Sequence, residues 1–130
     1  MDERIAHALE NDLVIDITTT GRISGEPRQF EIWFYNIDGV IYITGLPGKR
    51  DWYANMLANP HITFHLKESV QATIPARVEP IIEPETKRPI VTQIAEAWNN
   101  TDRIEEWLVS GPLVRVHLEI DLATITNSNS

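Results

Sequence analysis

Residues 18–33 read "TTTGRISGEPRQFEIW". Three β-branched threonines favour extended backbone on the way in. Gly21 and Gly25 then break the run, each free to adopt a positive φ. From Arg28 a period of two resumes, with Phe30 and Ile32 on one face and Glu31 and Trp33 on the other. A tight hairpin needs only about two residues of turn, yet residues 21–27 all lie between the two strands. Arg22 and Arg28 stand at the lips of that long turn.

Working outward, residues 13–20 form the incoming strand, with Leu13, Ile15 and Ile17 alternating against Asp16 and Thr18. The outgoing strand runs over residues 28–37 and keeps Phe34 in register with Phe30 and Ile32. Asp38-Gly39 follows between two strand-like runs, a strong hairpin signal, and residues 40–44 are the third strand. Residues 61–66 and 70–80 pair as a further hairpin, with Pro75 marking an edge, a bulge or a break. The last strand, residues 113–124, turns Val114, Val116, Leu118, Ile120 and Leu122 inward. Short helices are expected over residues 2–11, 51–59, 85–99 and 102–109. In the third of these, Ile90, Ile94, Ala97 and Trp98 make the apolar stripe.

Six strands joined largely by hairpin-length turns predict a mainly β protein with flanking short helices. Closure into a small antiparallel barrel hides the sheet edges, and a β-sandwich is the alternative. The alternating βαβ pattern of a dinucleotide fold is missing, so the glycines form no Rossmann loop. One domain over residues 1–126 is expected, with 127–130 as a frayed tail.

The chain has 130 residues, no cysteine and a net charge of -8. No thiolate chemistry is available, and the acidity argues against nucleic acid. No apolar run approaches the roughly 18 residues that span a bilayer. The acidic start Met-Asp-Glu-Arg does not read as a signal peptide, so a cytoplasmic location is expected. Charge is unevenly placed: residues 21–53 hold four bases against four acids, whereas residues 79–121 hold four against nine. The cations gather near the glycine turns, where an anionic ligand would want them.

Metal and acid–base chemistry find little support. His61 and His65 share a strand face but lie about 13 Å apart, too far for one ion. No nucleophile elbow is present, and adjacent Glu105 and Glu106 point to different helix faces. No catalytic side chain is assigned. The turn glycines, the forked donors of Arg22 and Arg28, and Lys49 and Arg50 just before a helix start suit a phosphate or carboxylate. Trp33, Trp52 and Tyr53 lie near enough in sequence to flank a flat ring.

"TTTGRISGEPR" resembles the T-x-G-R-x-[ST]-G-x-P-R segment of the deazaflavin-dependent nitroreductases, or quinone reductases. "WYANMLANP", residues 52–60, resembles their W-Y-x-N-L-x-A-N-P helix. These enzymes belong to the flavin and deazaflavin oxidoreductases built on the split β-barrel of pyridoxamine phosphate oxidase. The resemblance spans residues 13–80 and implies a six-stranded, FMN-binding type of split barrel, commonly a homodimer. It implies a cofactor of coenzyme F420 type, with FMN fitting the turns almost equally. Arg22, Ile23 and Ser24 match the first cofactor-contacting turn. Arg28, Gln29, Phe30, Ile32 and Trp33 match the following strand. Thr44, Gly45 and Leu46 match the stretch under the ring, and Trp52, Tyr53 and Asn55 the closing helix. Lys49 and Arg50 match a basic pair that relatives use for the flavin phosphate.

Three departures stand out: the short "GLPGKRD" loop, Leu46 where a hydroxyl side chain is usual, and no tyrosine after Tyr53. The function implied is hydride transfer from the reduced cofactor to a small acceptor such as a quinone or nitro compound. Water or Thr44 would serve as proton source. A non-catalytic flavin, deazaflavin or haem storage protein on the same barrel is the alternative.

Overall fold

Phe34 is where the barrel closes. The computed structural model of the chain describes residues 3–45, 48, 50–99 and 101–119. Its elements are α1 (Glu3–Asn11), β1 (Val14–Thr20), β2 (Pro27–Trp33), β3 (Tyr35–Ile37), β4 (Val40–Thr44), α2 (Asp51–Ala58), β5 (His61–Leu66), β6 (Ala72–Pro80), α3 (Pro84–Ala97), α4 (Ile104–Ser110) and β7 (Leu113–Leu118). A single 3-10 turn, Thr101–Arg103, leads into α4. The strands form one antiparallel sheet in the order β2-β1-β5-β6-β7-β4-β3. The two outermost strands are therefore consecutive in the chain, separated by Phe34 alone. One bent segment pairs with β1 through its first half and with β4 through its second.

The expected strand over residues 28–37 is thus two strands, and the expected six become seven. At the break Phe34 turns fully inward against Phe64, and its amide donates to Leu13 O. The fold class stands: a mainly β, antiparallel split barrel with short helices around it.

The main core fills the barrel with alternate residues of each strand, led by Ile15, Ile17, Ile43, Phe64 and Val78. Burying each such side chain contributes about 1.5–3 kcal/mol. Ala8 and Leu9 of α1 and Met56 of α2 close it from outside. Asp38 and Gly39 both take positive φ, the mirror-image turn that suits strand twist. Pro75 lies inside β6, which is paired on both sides. So Pro75 marks no edge: its missing N–H faces the far end of β7, where the bond from Glu119 N to Pro75 O is kept.

Three expectations change in the second half. On α3 the buried stripe is Lys87, Val91, Ile94 and Ala95, whereas Ala97 is exposed. The sixth strand begins at Ala72 rather than residue 70. In β7 Leu113 is buried as well as Val114, because the barrel covers one face and α3 with α4 covers the other. The expected inward positions Ile120 and Leu122, and the tail 127–130, lie outside the described residues. No helix among the described residues is long and apolar enough to cross a membrane.

Candidate functional site

The long turn closes on itself before it presents anything. Gly21 N donates to Glu26 O at 2.8 Å and Gly25 N to Gly21 O at 2.9 Å. Ser24 Oγ accepts from Glu26 N at 3.1 Å. Gly25 takes the positive φ foreseen for it, at +73°, and Gly21 does not. The turn is then tied to α2: Asn55 Oδ1 accepts from the Arg22 amide at 3.0 Å and from Arg22 Nη1 at 2.9 Å. Two donors on one atom identify it as the amide oxygen. Arg22 Nη2 also lies 3.5 Å from Asp51, whose carboxylate is 94% exposed at the start of α2.

Between turn, sheet and helix opens a cleft of about 740 Å³. Arg22, Ile23, Ser24, Arg28, Phe30, Trp52 and Asn55 line it, all expected from the sequence, together with Thr19, Gly21 and Asp51. Arg28 and Arg22 converge on one space. Arg28 has no carboxylate partner among the described residues. Phe30 and Trp52 stack with centroids 6.3 Å apart and planes at 28°, forming an aromatic wall. Ile23 is 92% exposed at the lip.

The remaining expected residues divide by strand alternation. Ile32 shares the face of Arg28 and Phe30 but packs against the main core. Gln29 and Trp33 lie on the opposite face; Gln29 sits beside Asp16, and Trp33 meets Trp98 edge-on at 6.4 Å. Tyr53 packs on the core with its ring against Trp52 at 6.0 Å, and burial pushes its phenol up. A Cβ on Gly45 would lie 3.3 Å from Arg50 Nε and 3.4 Å from Trp52, so Gly45 and Arg50 stand behind the aromatic wall. Leu46 and Lys49 lie outside the described residues.

Thr44 is buried and fully engaged. Its hydroxyl donates to Pro112 O at 2.5 Å and accepts from Trp107 Nε1 at 3.0 Å. The one proton it owns is already committed to a carbonyl, so it is no proton source for the cleft. Trp107 itself is fully buried and contacts Trp98, which in turn meets Trp33 and Tyr35. Of this cluster Trp107 is fully buried and Trp98 partly so, whereas Trp33 is 46% exposed at its edge.

Sequence reasoning missed Thr19 as a lining residue. The signal was present: it continues the inward series Ile15, Ile17 as a polar side chain at the strand end beside the turn.

The histidines assemble no metal centre. His65 sits between Thr18 and Thr73 on the outer sheet face, and His61 faces Glu119 at 4.0 Å. Among the described residues no cluster of three potential ligands exists.

The model of the pyridoxamine 5'-phosphate oxidase family matches residues 1–126. The chain belongs to that family. Solved structures agree on the fold. A putative pyridoxamine 5'-phosphate oxidase from Listeria innocua superposes with a TM-score of 0.70 at 16% identity, covering 91% of this chain and 93% of that one. The haem storage protein HutZ from Vibrio cholerae gives 0.68 at 14% identity, covering 92% and 91%. An F420 reductase gives 0.63 at 18% identity, covering 88% and 92%.

Proposed function

We propose that this family member is a reductase that holds a phosphate-bearing flavin-type cofactor in the Arg22–Arg28 cleft and reduces a small electrophilic acceptor, a quinone or nitro compound. Coenzyme F420 is the first candidate, by the turn and helix motifs and by the F420 reductase on the same fold; FMN is the second. One observation carries the reading: two arginines from opposite ends of a long turn line the same cleft as a stacked aromatic pair. A cofactor with a flat ring and an anionic tail is complementary to both.

The bound cofactor supplies the hydride, a two-electron reductant, and the protein supplies position and field. Arg28, with no carboxylate to neutralise it among the described residues, takes the anionic tail through forked hydrogen bonds. Arg22 is held in place by Asn55 and keeps its second nitrogen near Asp51. Phe30 and Trp52 orient the ring. The acceptor's proton comes from water, since the Thr44 hydroxyl is engaged. A homodimer whose second subunit covers the cleft belongs to the same proposal, with exposed Ile23 at its edge.

Turnover tests the reading. Purified protein with reduced F420 or reduced FMN and menadione should bleach the cofactor signal in proportion to enzyme. Tight binding without turnover would instead assign the chain to cofactor storage; HutZ, on the same fold, is described as a haem storage protein.

A further inference from the structure

We propose that Lys87 is a positioning residue for the cofactor cleft, fixing from behind the chain corner that holds Gly45 and Gly48 next to the cleft's Trp52 wall. The inference rests on the cleft being a cofactor site, and it concerns how that site is kept in shape.

Lys87 occupies a place where an apolar side chain would be expected. It opens the buried stripe of α3, is 6% exposed, and shares that face with Val91, Ile94 and Ala95. No carboxylate pairs with it among the described residues. Its ammonium donates to Gly111 O at 2.6 Å and to Leu108 O at 3.2 Å. These carbonyls close α4, where the last acceptors lack helical partners and the helix dipole favours a cation. Burial pulls the amine's pKa down, which registers the cost of holding a charge there. A methionine of similar length would fill the space without that cost.

What the charge secures lies on the other side of the corner. Ser110 O accepts from Gly48 N at 3.1 Å, and Pro112 O accepts from Gly45 N at 3.4 Å and from Thr44 Oγ1. Consecutive carbonyls at residues 110, 111 and 112 therefore point alternately to the loop, to Lys87 and to the loop again. Gly45 follows β4 and Gly48 precedes α2, and a Cβ on Gly45 would meet Arg50 Nε at 3.3 Å and the Trp52 ring at 3.4 Å. Releasing Gly111 O frees the corner to rotate, and with it the support for Gly48, Gly45 and the aromatic wall.

The test compares Lys87→Met and Lys87→Arg with Val91→Ala, which weakens the same helix packing but removes no hydrogen bond to the corner. Amide hydrogen exchange of the purified chain is read at Gly45 and Gly48 against Ile17 and Phe64, alongside titration with FMN and F420. Lys87→Met should speed exchange at Gly45 and Gly48 at least tenfold more than at Ile17 and Phe64. It should also raise the cofactor's Kd at least fivefold, with Lys87→Arg restoring part of both. Val91→Ala should do neither. Unchanged local exchange in Lys87→Met, or the same pattern in Val91→Ala, overturns the inference. If Lys87→Met does not fold, Lys87→Leu, which also lacks a donor, carries the same comparison with the same two outcomes. If the wild type binds neither cofactor, the cofactor reading fails by itself, and the exchange comparison still decides the role of Lys87 at the corner.

Discussion

Asn55 Oδ1 accepts two hydrogen bonds from Arg22, one from its backbone amide and one from its guanidinium. A single buried amide on α2 thereby sets both the path of the long turn and the direction of its first cation. Asn55→Leu keeps the volume and removes the acceptor. It should lower stability by about 1–3 kcal/mol, the cost of orphaning a hydrogen-bonded group, and it should weaken cofactor binding as well. Chemical denaturation and a fluorescence titration read the two effects separately.

Gly111 is required for close approach rather than for an unusual backbone. Its φ is -80°, yet a Cβ there would lie 1.9 Å from Trp107 Cδ1. Gly111→Ala should therefore push the Trp107 ring or the corner out of place. Overpacking of this kind costs about 1–3 kcal/mol. The midpoint of urea unfolding should fall accordingly; a midpoint within error of wild type would show that the corner yields freely.

Tyr35 presents the opposite case. Its buried hydroxyl makes no hydrogen bond of full geometry among the described residues; its ring lies edge-on to Trp98 at 5.6 Å, and burial pushes its phenol up against a weaker opposing pull from the Trp98 side chain. Tyr35→Phe deletes an unsatisfied group and leaves the packing. Stability should rise by about 1 kcal/mol, measured as a higher unfolding midpoint. A fall would mean that the hydroxyl has a partner in solution.

Acid should weaken the tie between the start of β1 and the β5–β6 turn. Glu68 Oε1 accepts from the amides of Val14 at 2.7 Å and Leu13 at 2.8 Å, which hold its carboxyl below the usual 4.5. Asp16 is likewise lowered, chiefly by Lys67. A carboxyl depressed in the fold stabilises it fully above the unfolded pKa, and that stability is lost as pH falls through the folded value. The melting temperature should therefore drop below about pH 4.5, and Glu68→Gln should flatten that slope. Equal slopes in both proteins would remove Glu68 from the account.

Much of this was readable from residues alone. Asp38-Gly39 announced its turn because only certain residues tolerate two positive φ angles in succession. The cleft was readable because its parts are local: Gly21 to Phe30 and Trp52 to Asn55 are short stretches, each with its own signal. The break at Phe34 was not, since the period of two passes through it undisturbed; only the need to pair with both β1 and β4 bends the chain there. Lys87 was hidden for a different reason. Pattern reading places a lysine on the solvent side, and the carbonyls that reward its burial come from residues 108 and 111, beyond any local window. The same holds for Thr44 and Trp107, joined across 63 positions.

The convergence of Arg22 and Arg28 on an anionic cofactor is tested most directly by titrating FMN and F420, side by side, into wild type and Arg28→Ala. Arg28 is exposed and bears no structural ion pair among the described residues, so its loss should leave stability within about 0.5 kcal/mol. A charged hydrogen bond to the cofactor contributes about 1.5–3 kcal/mol, so the Kd of the cofactor that wild type binds should rise more than tenfold. An unchanged Kd in Arg28→Ala, or a wild type that binds neither compound, would contradict the account.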